Sequence, residues 1–185
     1  MYTKEIFRPE VGTIRKESIR ALVEKCLENA PDYFWSMPAS TTGKYHPEYT
    51  LGDGGLIRHT KAAVSIALDL LSLEQNDTLV KNFRDEIIAA LILHDSVKKG
   101  RNGGVYTSFT HPLEASKFVQ EMSEGMDINK NDVHTICRLI ETHMGQWTRD
   151  YEGNELLEKP QTEAQKFVHM CDYLASRKNI TVNVR

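Results

Sequence analysis

The longest unbroken apolar run in the chain, Ile87 to Leu93, ends on a histidine and an aspartate, His94 and Asp95. Ile87, Ile88, Leu91 and Ile92 recur at helical spacing, and the next positions on that stripe are those two ionisable residues. The same conflict returns elsewhere. Ile136, Leu139 and Ile140 lead to His143 by the same spacing, and Asp172 shares a face with Ala164, Phe167, Val168, Cys171 and Ala175. His59 opens a helix whose apolar face begins at Ala63. His111 stands before Pro112, at the start of a helix with Ala115, Phe118, Val119 and Met122 on its inner face. A buried carboxylate costs on the order of several kcal/mol unless it is paired or bound to a cation. Any one of these histidines alone reads as a hydrogen-bonded core residue. Four histidines and two aspartates entering one core are all satisfied at once by a divalent cation. Imidazole and carboxylate donors suit Mn²⁺, Fe²⁺, Zn²⁺ or similar ions without any thiolate.

The pattern is helical almost throughout. It predicts a first helix over 14–29, stopped before Pro31, then an irregular arm over 30–55 that holds Pro31, Pro38, Pro47 and several glycines. A helical core over 56–178 follows. Ala63, Ile66, Ala67, Leu70 and Leu71 mark one buried face. Further helices are expected over about 78–97, from Pro112 to Gly125, from a cap at Asn131 or Asp132 to about Met144, and from Pro160 and Thr162 onward. A basic, glycine-rich loop, KKGRNGG, separates the first of these from the second. Only the tail ITVNVR alternates like a strand, and six residues make no sheet alone. GDGG at 52–55 lacks the spacing and ending of a phosphate loop and reads as a turn. The expectation is an all-α fold, one domain over 1–185.

A length of 185 residues suffices for a core without staples, and 40% hydrophobic and 26% charged residues are ordinary for a globular chain. The first residues carry charges and no apolar stretch, so neither a secretory signal nor a membrane span is expected. Cys26, Cys137 and Cys171 are widely spaced and odd in number, which points to buried thiols in a reducing, cytoplasmic setting. With 23 basic and 26 acidic side chains the net charge is −3. Such a balance does not suit binding of duplex nucleic acid by phosphate neutralisation, but leaves room for a nucleotide or a short single strand.

The ordered set His59 in GGLIRHT, His94–Asp95 in LILHDSVKKG and Asp172 in HMCDYLASR resembles the signature of the HD-domain superfamily of metal-dependent phosphohydrolases. Lys98, three residues after Asp95, matches the superfamily's frequent HDxxK form. His111 in FTHPLEAS and His143 in IETHMGQW stand where members with two metals carry two further histidines. The resemblance covers about 38–177 and is nearest to the HD domain of bacterial 3′-5′ exoribonucleases. Those share a GGLLEHT-like segment and continue from HHG through P-x-T-x-A to H-x-x-D. Here the counterparts are HMG at 143–145, Pro160, Thr162, Ala164, His169 and Asp172. Met144 replaces one histidine, and the HD-like part begins too early for a preceding nucleic-acid-binding barrel. Phosphoester chemistry is therefore expected and processive RNA degradation is not.

The resemblance implies an HD-type helical bundle holding one or two divalent ions: Mn²⁺, Fe²⁺, Co²⁺, Ni²⁺ or Zn²⁺, with Mg²⁺ a further option at one position. His59, His94, Asp95, His111, His143 and Asp172 are the expected ligands, with Asp95 bridging. Coordination lowers the pKa of water from about 15.7 to about 7, so metal-bound hydroxide is the expected nucleophile. Asp95 and Lys98 are the expected catalytic pair, the lysine placed over charge developing on phosphorus. His46, Arg58, Lys98, Arg101, Trp147 and Arg177 are candidates for holding substrate, with Trp147 or Tyr106 stacking on a base. His134 and His169 read as structural. The expected substrate is a nucleotide or short oligonucleotide, cleaved as a monoester, a diester or a deoxynucleoside triphosphate. A di-iron oxygenase on the same scaffold and a metal-containing binding module without turnover are the alternatives. Self-association is expected only by analogy with the superfamily.

Overall fold

A computed structural model describes residues 2–40, 42–44 and 46–183. It is all-helical: among the described residues no strand forms, and the sole β-like pairing is one isolated bridge between Arg149 and Glu155. The helices are α1 (Arg8–Val11), α2 (Glu17–Glu28), α3 (Gly55–Leu71), α4 (Asp77–Leu93), α5 (His111–Ser123), α6 (Lys130–Glu141) and α7 (Glu163–Ala175). Short 3-10 turns lie at Lys4–Phe7, Asp32–Trp35, Glu48–Thr50 and Glu74–Asn76.

The unbroken apolar run explains the architecture. A helix apolar all round must be covered all round, and every residue from Ile87 to Leu93 is fully buried. Helices α2, α3, α6 and α7 all pack on α4. Its amphipathic neighbours turn in the faces that periodicity marks, such as Ile19, Leu22, Val23, Cys26 and Leu27 of α2. The three cysteines are free and buried within this core. No helix is long and apolar enough to cross a membrane among the described residues.

Several boundaries differ from the expected ones. Helix α2 begins at Glu17, three residues after Ile14, because the buried Asp85 of α4 accepts the backbone N–H groups of Arg15 (2.9 Å) and Lys16 (2.7 Å) and so supplies a cap from outside the helix. Helix α4 stops at Leu93 rather than near Val97. Helix α6 is capped by Asn129, whose side chain accepts from the Asn131 N–H at 2.8 Å, and stops at Glu141 rather than Met144. Of the expected caps, Asp132 instead pairs with Lys16 at 3.1 Å. The tail forms no strand over 180–183, and Val184 and Arg185 lie outside the described residues. The GDGG segment is a turn as expected. A Cβ at Gly55 would lie 2.0 Å from the Thr50 carbonyl oxygen, so this close approach of arm and helix requires glycine.

Candidate metal centre

Five segments deliver six side chains to one place. His59 comes from the second turn of α3, His94 and Asp95 from just beyond α4, His111 from the first position of α5, His143 from just beyond α6, and Asp172 from α7. Two helices thus point their carbonyl ends at the cluster, where their partial negative charge favours a cation.

Three of the histidines are aimed by one device. The Nδ1–H of His94 donates to the Leu91 carbonyl at 2.7 Å, that of His111 to Ser108 at 2.7 Å, and that of His143 to Ile140 at 2.8 Å. Each bond reaches back three residues within a turn. It fixes the ring and turns Nε2 toward the centre, as outer hydrogen bonds do for metal-ligating histidines. The bond from His94 also accounts for the end of α4, since it occupies a carbonyl that the next helical turn would use.

The donor atoms fall into two sets that share Asp95. Around Oδ1 stand His111 Nε2 at 3.1 Å and His143 Nε2 at 3.9 Å. Near Oδ2 stand His94 Nε2 at 3.4 Å and Lys98 Nζ at 2.5 Å. Asp172 Oδ1 closes this second set, 2.9 Å from His59 Nε2 and 3.5 Å from His94 Nε2. Adjacent ligands about 2.1 Å from a common ion lie about 3.0–3.4 Å apart, so these spacings fit shared coordination. The Nε2 atoms of His111 and His143 face each other at 3.1 Å with both Nδ1 protons committed elsewhere, so an electrophile between or beside them relieves opposed lone pairs. His94 Nε2 and Asp95 Oδ1 are buried without a well-aligned hydrogen bond. The residues present fit one or two divalent ions.

Without an ion, the charges of the cluster balance one another. Burial pushes the His94 imidazolium toward the neutral form, but the Asp95 and Asp172 carboxylates outweigh it and raise its pKa to about 10. Burial favours the neutral form of both aspartates as well. Lys98 and the neighbouring histidines reverse that for Asp95, and His59 and His94 do so for Asp172; both stay well below the usual carboxylate range. Burial, with His94 and His111 beside it, drives His143 down to about 3. That ring is a neutral donor at any ordinary pH.

A cavity of about 540 Å³ opens over the cluster, within the range of small-molecule sites. Of the substrate-side candidates, His46, Lys98, Trp147 and Arg177 line it. Arg58 and Arg101 do not. The Arg58 guanidinium donates to the carbonyls of Tyr49 (2.5 Å) and Leu51 (2.9 Å) and ties the arm to α3. Arg101 pairs with Glu121 at 2.8 Å and lies over the Phe118 ring. Tyr106 is exposed. His169 donates from Nδ1 to the His143 carbonyl at 2.7 Å, a supporting role consistent with the structural reading.

Sequence reasoning missed Tyr173 of α7 and Ser176 just beyond it, which line the cavity beside Asp172, and also Ser40 and Thr107. Periodicity was sufficient to find Ser176, which follows Asp172 by four positions, but not Tyr173, which follows it by one. Tyr33 also escaped notice. Its hydroxyl, pushed up to about 12 by burial, donates to the Gly100 carbonyl at 2.7 Å and accepts from the Lys99 N–H at 3.1 Å, pinning the turn that carries Lys98.

The model of the HD domain family matches residues 56–177, well over half of the chain. The chain belongs to the HD-domain family. All six clustered side chains of this HD-domain protein lie inside the matched span, which runs from the start of α3 to just beyond α7. No curated protein and no solved structure matches the chain.

Proposed function

We propose that this HD-domain protein is a metal-dependent phosphohydrolase acting on a phosphoester of a nucleotide or short oligonucleotide. The observation that carries the reading is the division of two donor sets between the two oxygens of Asp95, directly beneath an open cavity. His59, His94, Asp95 and Asp172 would hold one ion, and Asp95, His111 and His143 a second. Bound there, such ions supply an activated water near neutral pH and polarise phosphoryl oxygens.

The chain's own groups complete the site. Lys98, 2.5 Å from Asp95 and on the cavity wall, holds an ammonium where negative charge grows on a phosphoryl group. His46 lines the same wall. Burial, followed by the neighbouring His59 and Lys98, lowers it to about 4, so it meets substrate as a neutral imidazole that hydrogen-bonds rather than as a standing acid. The GGLIRHT and HMG segments favour kinship with the HD domains of 3′-5′ exoribonucleases, with Met144 on the cavity wall where those carry a histidine.

The test is phosphate or nucleotide release from nucleoside mono-, di- and triphosphates, cyclic dinucleotides and short oligonucleotides, with Mn²⁺, Fe²⁺, Co²⁺, Ni²⁺ or Mg²⁺. Turnover abolished by Asp95→Ala is the expected result. No turnover across the panel by protein shown to be metal-loaded would overturn the reading.

A further inference from the structure

Large aromatic side chains left in water need a reason, and two of them stand together on the cavity wall. Trp147 is 44% exposed and Tyr173 36% exposed, and both line the cavity. Their rings stack on each other, 18° apart with centroids 5.9 Å apart, so the exposed indole, backed by Tyr173, forms one flat ledge. The pair is held by its neighbours. The Arg177 guanidinium lies 4.1 Å from the Tyr173 ring centre and donates to Ser176 Oγ at 2.7 Å, while His169 meets the edge of the Trp147 ring. Both aromatics are tied by short stretches of chain to the clustered donors: Trp147 follows His143 by four residues, and Tyr173 follows Asp172 directly. A ligand group on this ledge thus shares one cavity with the metal centre.

Flat π-faces accept nucleobases of any identity, at about 1–3 kcal/mol per base. The charge of the cavity limits what is attached to the base. Among the described residues, Lys98 and Arg177 are the lysine and arginine lining it, and Lys98 is already paired with Asp95. That suffices for one phosphoryl group at the centre and offers no further row of cations for a polyphosphate tail. We propose that Trp147 and Tyr173 form a stacking subsite for the base of a nucleoside monophosphate whose phosphoryl group lies over Asp95 and Lys98. The proposal deepens the phosphohydrolase reading and rests on it for the position of the phosphoryl group.

The experiment compares adenosine 5′-monophosphate with ribose 5-phosphate, which lacks the base. With Mn²⁺-loaded protein, Trp147→Ala lowers the ratio of kcat/KM for the nucleotide to that for the sugar phosphate by roughly 5- to 150-fold, the equivalent of one stacked base. Trp147→Phe restores most of it. A substitution that merely loosened the fold would lower both values in step, and that outcome overturns the subsite. Equilibrium dialysis of the same two compounds against the same proteins reads the subsite without turnover. Nucleotide held more tightly than sugar phosphate by wild type, and not by Trp147→Ala, supports the ledge even if neither compound is cleaved; in that case the phosphohydrolase reading alone fails. Equal binding of the two by wild type overturns the ledge whatever the turnover.

Discussion

His94 has the most to lose or gain from the state of the centre. Its Nε2 sits between Asp95 at 3.4 Å and Asp172 at 3.5 Å, and the two carboxylates outweigh burial and hold its proton up to about pH 10. An ion that takes this nitrogen must displace that proton. His143, driven down to about 3, and the depressed aspartates have none to give near neutrality. Uptake of Mn²⁺ or Zn²⁺ at pH 8 is therefore expected to release about one proton from His94, and that contribution raises apparent affinity about tenfold per pH unit below 10. Calorimetric titration in buffers of different ionisation enthalpy measures the release; a binding heat indifferent to buffer would contradict it. The metal-free protein responds in the opposite sense. A pKa raised from about 6.5 to about 10 contributes stability that is complete below 6.5 and is lost as pH rises through 10.

At the scale of elements, the decisive pieces are the turns that follow helices. Beyond α6, Gly145 has φ +65°, and a Cβ there would meet the His169 ring at 2.1 Å. That ring donates to the His143 carbonyl at 2.7 Å. Gly145→Ala is expected to cost about 1–2 kcal/mol for the left-handed backbone alone and more for the displaced imidazole. It should also weaken the ion held by Asp95, His111 and His143. Gly125→Ala is the control, with φ +74° and open space around its Cβ. Urea unfolding and metal stoichiometry separate the two; equal losses would show that the His169 contact carries nothing.

These turns also mark where the sequence stopped being legible. Helical stripes located α3 to α7 and pointed to all six clustered side chains, because an ionisable residue on an apolar stripe stands out under a 3.6-residue period. The same period carried α4 past His94 and α6 past Thr142, because it registers which side faces inward and not which carbonyl a side chain has taken. Arg58 illustrates the converse. Arg58, a conspicuous cation beside His59, proves to tie one turn of the arm to α3 through two carbonyls that no pattern marks.

For the whole molecule, the centre joins elements that already pack on one another. Its donors come from α3, the ends of α4 and α6, the start of α5, and α7. An ion bound there crosslinks segments from His59 to Asp172 and has no comparable site in the unfolded chain, so occupancy stabilises the fold by mass action. At a free concentration one hundred times Kd the gain is about 2.7 kcal/mol. For a chain of 185 residues this corresponds to roughly 5–10 °C in Tm. Thermal melts of EDTA-treated protein against the same protein reloaded with Mn²⁺ read the shift directly. Asp95→Ala removes the carboxylate common to both donor sets and should abolish it. The variant is also expected to be weaker than wild-type apoprotein, because it leaves Lys98 and His94 without their buried carboxylate, so the shift on reloading and not the absolute Tm is the readout. An unchanged Tm on reloading, in protein whose metal content has been measured, would mean that the six side chains hold their positions without the ion. The cluster would then be a self-sufficient hydrogen-bonded core.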